Sequence, residues 1–245
     1  STNMDLDSSS NGFTNFVTSG TLTATKDNPS NNFATLNPLD NFYYNGTFSN
    51  GNNTTLSHTT TYAMITSTLA ASSGKYYVEA KLSGGHAQAK FGITCRPARA
   101  TSEVMTFSGS SQYTGSDGNL QLDGSVTAGW GSTWGIGDIV ACALDLDNNR
   151  IYFSVNGVWQ SSGNPSAGTG YETIISAAST TTGVYLFSWN DNHTSIASTM
   201  QYNFGNGYFG TTAITSAGTN ASGNGTFEYD VPTGFTALST KGLNT

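Results

Sequence analysis

Two runs of alternating side chains, separated by a polar turn, constrain the fold of this 245-residue chain more than any other feature. Residues 139–146 and 151–155 both repeat with the period of two that is typical of β-strands. The face predicted to point into the core carries Val140, Cys142, Leu144, Leu146, Ile151, Phe153 and Val155. Asn156-Gly157 then predicts a second tight turn, because both residues tolerate positive φ. The sequence therefore predicts an antiparallel β protein.

Four motifs resemble, in their order along the chain, the signature of the SPRY (B30.2-type) domain family. They are Gly74-Lys75-Tyr76-Tyr77-Val78-Glu79, Phe91-Gly92-Ile93, the run from Gly137-Asp138-Ile139-Val140 through Leu144-Asp145 to Ile151-Tyr152-Phe153-Ser154-Val155-Asn156-Gly157, and Gly183-Val184-Tyr185-Leu186-Phe187. The resemblance implies an all-β fold, an antiparallel two-sheet β-sandwich of the concanavalin-like jelly-roll type, over residues 70–205. It also implies a binding module with interaction loops at one end of the sandwich and no inherent chemistry.

The two ends of the chain are predicted to be extended flanks of the same domain. Residues 1–69 form the N-terminal flank and residues 206–245 the C-terminal flank, since no linker or composition shift separates either from the core. Residues 27–39 and 232–238 are similar to the flanks of SPRY segments in bacteriophage virion proteins. This second resemblance implies a non-enzymatic capsid decoration, head-fibre or tail-fibre protein on the virion surface or otherwise extracellular. Its partners would be other virion proteins and further copies of itself.

Composition and charge argue against several other classes of protein. The net charge is −7, so the chain lacks the basic surface that a nucleic-acid-binding protein needs. No apolar run approaches the ~20 residues of a membrane helix, and the first ten residues do not resemble a signal peptide. Aromatic residues make up 12% of the chain and supply a core. The cysteines, Cys95 and Cys142, are interpreted as buried free thiols rather than as a disulfide.

A pair of aspartates raises the alternative of a polysaccharide hydrolase. Asp145 and Asp147 lie two residues apart on a predicted strand, hence about 6.6 Å apart on one face. Retaining glycosidases place two carboxyl groups ~5–5.5 Å apart, but the Glu-x-Asp-x-x-Glu pattern of sandwich glucanases is missing here. The favoured interpretation is that Asp147 opens a turn and that Asp145 is an outward-facing strand residue. An Arg at position 150 also argues against a calcium loop starting at Asp145.

No sequence motif indicates a catalytic residue, a metal site or a cofactor. Residues 205–210 match GxGxxG, but no helix is predicted to follow them, so they are interpreted as turns. The histidines, His58, His86 and His193, stand far apart in sequence, and only a tertiary structure could join them in a triad or a zinc site.

Aromatic and polar residues in predicted loops form the candidate ligand-binding set. Its members are Tyr113, Asp117, Trp130, Trp134, Trp159, Trp189, Asp191 and His193. The four tryptophans are predicted at strand ends or turns, and residues 189–193 combine an indole with amides, a carboxylate and an imidazole. Sugar-binding sites use that combination, which predicts an adhesin for a host-surface glycan or protein. In the favoured alternative, the tryptophans plug the ends of the core or lie in subunit contacts.

Overall fold

The computed structural model describes residues 27–43, 46–57, 62–96, 107–191, 193 and 195–244. Residues 21–25, whose alternating side chains predict a strand, lie outside this part of the chain, and so does His58. The described residues form eighteen strands and two 3₁₀ helices. In chain order these are β1 (Leu36–Tyr43), β2 (Thr47–Ser49), β3 (Thr54–Leu56), β4 (Ala63–Ala71), β5 (Lys75–Gly84), β6 (Ala89–Thr94), β7 (Ser110–Thr114), β8 (Leu120–Leu122), β9 (Ser125–Thr127), β10 (Ile139–Asp145), β11 (Arg150–Val155), β12 (Val158–Trp159), β13 (Glu172–Thr173), η1 (Ala177–Ser179), β14 (Tyr185–Asp191), β15 (Thr199–Asn203), β16 (Tyr208–Phe209), β17 (Thr212–Ala213), β18 (Thr236–Ala237) and η2 (Gly242–Asn244).

Two large sheets pack face to face. Sheet A has seven strands in the order β1-β4-β14-β6-β7-β8-β9. Sheet B has nine, in the order β12-β11-β10-β5-β15-β3-β2, with β13 beside β11 and β18 beside β5. Neighbouring strands in both sheets are antiparallel, apart from the parallel pair of β18 and β5. The prediction of an all-β, antiparallel two-sheet sandwich is confirmed. Of the described helices, neither has the length or apolar character to cross a bilayer.

The predicted inward face forms the core between the sheets. In sheet B, Cys142 pairs with Val78 on one side and with Phe153 on the other, so the three side chains share one face. Phe153 lies edge-on to Phe91 of sheet A, with ring centroids 6.3 Å apart. Cys142 and Cys95 are buried free thiols, as the sequence predicts, and burial raises the pKa of the Cys142 thiol.

The middle of the chain contains a polar but buried strand that the sequence pattern does not predict. Residues 96–121 are rich in serine and glycine, which predicts an irregular region, yet they contain β7 and the start of β8. Every residue of β7 is buried, although the strand reads Ser-Ser-Gln-Tyr-Thr. A pattern of alternating apolar and polar residues cannot identify such a strand, because its outward side chains are polar and nonetheless covered.

The C-terminal flank covers the outer face of sheet B. Phe227 lies edge-on to Tyr77, with ring centroids 5.0 Å apart, and the Lys75 ammonium lies 5.9 Å from the ring centroid of Phe235. Asp145 is therefore only 2% exposed. Its carboxylate forms an ion pair with Lys75, in which Oδ2 lies 3.0 Å from Nζ. Asp145 lies on the outer face of sheet B, as the sequence predicts, but a layer of later sequence covers this face and buries the side chain.

A buried carboxylate on β5 attaches this layer to the sheet. Glu79 is fully buried. Its Oε1 accepts hydrogen bonds from the Tyr77 hydroxyl at 3.0 Å and from the backbone N–H of Tyr229 at 2.9 Å. Its Oε2 accepts from Asn203 Nδ2 at 3.2 Å and from the backbone N–H of Glu228 at 2.9 Å. Two of the donors are backbone groups of the flank, so the carboxylate fixes the path of residues 228–229.

Burial dominates the electrostatics of this group. It raises the pKa of Glu79 from 4.5 to about 7, although the hydrogen bonds to the carboxylate act in the opposite direction. The folded protein therefore binds a proton at Glu79 over a pH range in which the unfolded chain has released it.

The pH dependence of stability should report this group. The pKa of Glu79 is higher in the folded protein than in the unfolded chain. The contribution of protonated Glu79 to the free energy of unfolding is therefore complete below about pH 4.5 and is lost as pH rises to about 7. The free energy of unfolding should fall by ~3 kcal/mol across that window, since each pKa unit corresponds to about 1.4 kcal/mol. Urea unfolding at several pH values measures this slope.

Glu79→Gln should remove the slope, because an amide does not titrate there. Glu228→Gln is the matched control: it removes the same formal charge in the flank and should keep the wild-type slope. A Glu79→Gln variant that kept the wild-type slope would contradict the assignment.

Candidate functional site

Loops at one end of the sandwich meet in what we call the loop end. It comprises residues 85–88, 115–119, 128–138, 193 and 195–198. The Gly115 N–H donates to the carbonyl of Ala89 at 3.1 Å, and the Trp134 N–H donates to the carbonyl of Gly115 at 2.9 Å. The His86 N–H donates to Ser198 Oγ at 3.1 Å. These hydrogen bonds thus join loops that are distant in sequence into one surface.

Two histidine rings contact each other at the loop end. The ring centroids of His86 and His193 lie 4.4 Å apart, with 34° between the ring planes. His86 Nδ1 accepts the N–H of Gln88 at 3.1 Å. His193 Nδ1 accepts the N–H groups of Ser195 and Ile196 at 3.1 and 2.9 Å. A neutral ring whose Nδ1 accepts carries its proton on Nε2. Both half-exposed rings can therefore donate a hydrogen bond to a ligand through Nε2.

Asp191, predicted as a ligand contact, is buried at the end of β14. Its Oδ2 accepts the Ser57 hydroxyl at 2.5 Å, and its Oδ1 accepts the His193 N–H at 3.1 Å. Ser57 Oγ in turn accepts the N–H of Ser198 at 2.7 Å. The carboxylate therefore positions the backbone that presents His193, and it does not face solvent.

Three of the predicted aromatic residues gather at the loop end. The Tyr113 ring lies 5.4 Å from Trp130, 5.5 Å from Phe153 and 6.3 Å from Trp134, measured between ring centroids. Tyr113 and Trp134 are buried, and burial raises the pKa of the Tyr113 hydroxyl. Trp130 is half-buried and donates from Nε1 to Glu172 Oε1 at 2.6 Å. Tyr113 and Trp134 thus fill the end of the core, which the favoured interpretation of the tryptophans predicted for Trp134.

Trp189 lies in the middle of β14, where its side chain is fully buried. It pairs with Phe91 on one side and with Ile65 on the other, and both are core residues. The prediction that Trp189 sits on a loop is wrong. The polar residues that follow it suggested a turn, but Asn190 and Asp191 continue the strand with buried side chains.

Trp159 lies outside the loop end, on the outer face of sheet B. Its half-buried ring is edge-on to Tyr77 and Tyr152, each with a centroid separation of 6.4 Å. The structure therefore separates Trp159 from the other members of the candidate set.

Asp117 remains exposed in the loop that joins β7 and β8. Its side chain accepts the N–H of Asn119 at 3.0 Å and an Asn119 Nδ2 hydrogen at 2.7 Å. It borders a polar groove of about 240 Å³ where Lys90 Nζ donates to Gln121 Oε1 at 2.9 Å. Burial lowers the pKa of the Lys90 ammonium, and the Asp117 carboxylate partly offsets this. Asp117, His193 and the half-buried Trp130 are thus the members of the predicted set that the loop end leaves accessible to solvent.

His86 belongs to the site although it is not in the predicted set. Its 107-residue separation from His193 hides the contact, which depends on the pairing of β6 with β14. A local signal existed only in the glycines at positions 84 and 85, which indicate a turn before His86.

Comparisons with known proteins bear on the fold. No protein-family model matches the sequence, and no curated protein matches it. The crystal structure of the SPRY domain of human HERC1 is similar at 15% sequence identity and a TM-score of 0.52, and the match covers 68% of this chain and 96% of that chain. The crystal structure of a human SPRY domain is 16% identical with a TM-score of 0.45, covering 63% and 92% respectively. The first structure confirms the predicted SPRY-type fold, and at this identity the likeness concerns the fold alone.

Stability measurements should separate core from surface members of the predicted set. Trp189→Ala should lower the free energy of unfolding by ~3–5 kcal/mol, because it leaves a large cavity between the sheets. Asp117→Ala, at an exposed loop position, should change it by less than ~1 kcal/mol. Urea denaturation compares the two variants. A Trp189→Ala protein of wild-type stability would contradict the core assignment.

Proposed function

We propose that this chain is a non-enzymatic structural and binding protein of a bacteriophage-like virion, where it serves as capsid decoration, head fibre or tail-fibre component. The proposal rests on the position of exposed apolar side chains in the two sheets. Three of the exposed large apolar residues lie on the terminal strands of the sheets: Leu39 on β1 (96% exposed), Val126 on β9 (57%) and Val158 on β12 (67%). Monomeric proteins usually protect such edges, whereas edges that meet other subunits can be apolar.

The sequence supports the virion setting. Residues 27–39 and 232–238 resemble flanks of SPRY segments in phage virion proteins. The two regions are hydrogen-bonded to each other here, since the Ala34 N–H donates to the carbonyl of Leu238 at 2.9 Å. The partners that follow from this proposal are further copies of the chain and other virion proteins, without nucleic acid and without insertion into a membrane.

The state of the carboxylates supports a binding role over a hydrolase. The Asp145 carboxylate forms an ion pair with Lys75, and its Oδ2 accepts a hydrogen bond from Asn148 Nδ2 at 2.9 Å. Asp147 faces solvent from the following turn and accepts the Gly74 N–H at 2.7 Å. A glycosidase needs two carboxyl groups that flank one substrate bond. Here one of the pair is buried in an ion pair.

Recognition of a host-surface glycan or protein is a second candidate function. The loop end favours it, because His86 and His193 present Nε2 donors beside the exposed Asp117. Recognition is compatible with a structural role, since a fibre both assembles and binds.

Immunogold labelling with an antibody to this chain should mark intact virus particles from the source. Labelling over the head supports a decoration protein, and labelling at tail or fibre tips supports a fibre with the recognition role. Particles without label would overturn the virion proposal.

Association of the purified chain should depend on the edge strands. Leu39→Lys, Val126→Lys or Val158→Lys should shift the oligomer toward monomer in light scattering, because a lysine ammonium opposes edge pairing. Ile136→Lys is the matched control, since Ile136 is 63% exposed in a loop away from the edges. Identical, concentration-independent masses for wild type and all variants would count against the proposed assembly role.

Binding of cells or host lysate components should depend on the loop end if the chain is an adhesin. His86→Ala and His193→Ala should each reduce binding by about tenfold, the loss expected for one hydrogen-bonded contact of ~1.4 kcal/mol. The melting temperature verifies folding, and Tyr171→Ala, on another surface, is the control. Unchanged binding in both histidine variants would exclude this role for the loop end.

A further inference from the structure

The polar groove that Asp117 borders lies on the outer face of sheet A, and we call it the lysine groove. Its floor crosses four neighbouring strands, β6 to β9. Phe91, Tyr113 and Leu120 point into the core, so the alternation of side chains turns their neighbours in β6, β7 and β8 outward. The floor side chains, one from each strand, are Lys90, Thr114, Gln121 and Val126. The floor is therefore built into the sheet.

Lys90 is a buried cation at this floor. It is 7% exposed, a low value for a residue type that is rarely buried without a charged partner. No carboxylate of a described residue forms an ion pair with its ammonium. Burial lowers the pKa of this group, and the Asp117 carboxylate only partly offsets the effect. The sheet therefore holds a largely desolvated positive charge without a contacting counter-charge.

The ammonium lies at the wall of the groove with hydrogen-bond donors to spare. Lys90 Nζ donates to Gln121 Oε1 at 2.9 Å, and Gln121 is a half-exposed groove residue. An ammonium has three N–H donors. Among the described residues it has Gln121 as its hydrogen-bond acceptor, so two donors can turn to a ligand. The same bond orients the Gln121 amide, whose Nε2 is a further donor.

Neutral polar side chains and one carboxylate form the rim. Gln88 contributes an amide and Ser116 a hydroxyl. Asp117 accepts the N–H of Asn119 at 3.0 Å and an Asn119 Nδ2 hydrogen at 2.7 Å, which holds its carboxylate on the exposed loop. Lys90 is the one basic residue among the described residues that line the groove. The groove therefore suits a ligand with one negative charge, because the Asp117 carboxylate would repel a dianion.

Size and chemistry together select the ligand class. Sites for drug-sized ligands occupy ~300–1,000 Å³, so a groove of about 240 Å³ accommodates little more than one ring. A carboxylate accepts charge-assisted hydrogen bonds from an ammonium, and ring hydroxyls pair with amides and hydroxyls. The 57% exposed Val126 offers apolar surface to the C–H groups of such a ring. We propose that the lysine groove binds an acidic sugar through a single carboxylate.

This inference goes beyond the proposed function. The groove adjoins the loop end at Gln88 and Ser116, but its charged group lies on β6, and neither His86 nor His193 lines it. The acidic-sugar site can therefore exist whether or not the chain is part of a virion, and whether or not the histidines contact a host surface.

Saturation-transfer difference NMR on the full chain tests the ligand class. The probes are the methyl glycosides of glucuronic, galacturonic and N-acetylneuraminic acid, and oligosaccharides that end in the same acids, which separates a small solute from a glycan terminus. The neutral parent sugars, glucose 6-phosphate and N-acetylglutamate amide are measured in parallel. We expect at least one acidic sugar to bind at millimolar concentration. The parallel probes should bind at least about tenfold more weakly, the loss expected for an unmatched hydrogen bond to a charged group.

A lysine variant locates the binding. Lys90→Gln removes the charge and retains an amide, so it should weaken binding of the acidic sugar by about tenfold or more. Lys81→Gln, which removes a lysine from β5 in sheet B, is the matched control and should bind like wild type. The melting temperature verifies that both variants fold.

An aspartate variant tests the same site in the opposite direction. Asp117→Asn, at an exposed position, removes the repelling charge and keeps an oxygen for the Asn119 N–H. It should strengthen binding by about two- to fivefold, the effect of one exposed charge pair. Asp147→Asn, which removes an exposed carboxylate from the turn between β10 and β11, is its control and should leave binding unchanged.

Two kinds of result would overturn the proposal. Binding that persists in Lys90→Gln, or that does not strengthen in Asp117→Asn, would place the ligand elsewhere. Absence of binding by every acidic sugar at millimolar concentration, or equal binding by the neutral sugars, the phosphate ester or the glutamate amide, would exclude the ligand class.

Discussion

A carboxylate buried on the outer side of β5 determines how the rest of this molecule is arranged. A charged or polar group at that depth needs hydrogen-bond donors, and Glu79 takes two of its four from the backbone of residues 228–229. The C-terminal flank must therefore cross the face of sheet B at this point. β5 is also the strand on which β10, β15 and β18 pair, so the carboxylate connects the flank to the centre of the sheet.

The layer attached in this way turns the outer face of sheet B into a second packed surface. Tyr77 is buried against Phe227, and Asp145 forms its ion pair under the same cover. A SPRY-type sandwich has loops at its ends and two outer faces as possible binding surfaces. In this chain one face of sheet B is largely occupied by its own flank. Within the part of the chain that the structure describes, the loop end and the apolar strand edges stay uncovered.

The loop end and the strand edges differ in the chemistry that they offer. The loop end presents imidazole donors and a carboxylate, and the edges present backbone groups with apolar side chains. The edges are suited to contacts between subunits, whereas the loop end is suited to ligands with hydrogen-bonding groups.

Local patterns in the sequence determined the class of fold, the hairpin of β10 and β11, its inward face and the turn at Asn156-Gly157, because period-two alternation and positive-φ residues act over a few positions. The spaced SPRY-like motifs added the two-sheet arrangement. The tertiary structure alone decided that Trp189 is a core residue, that Asp145 is covered and that His86 meets His193. Burial and hydrogen bonding depend on which distant segments lie on top of a strand, and an alternating pattern does not contain that information.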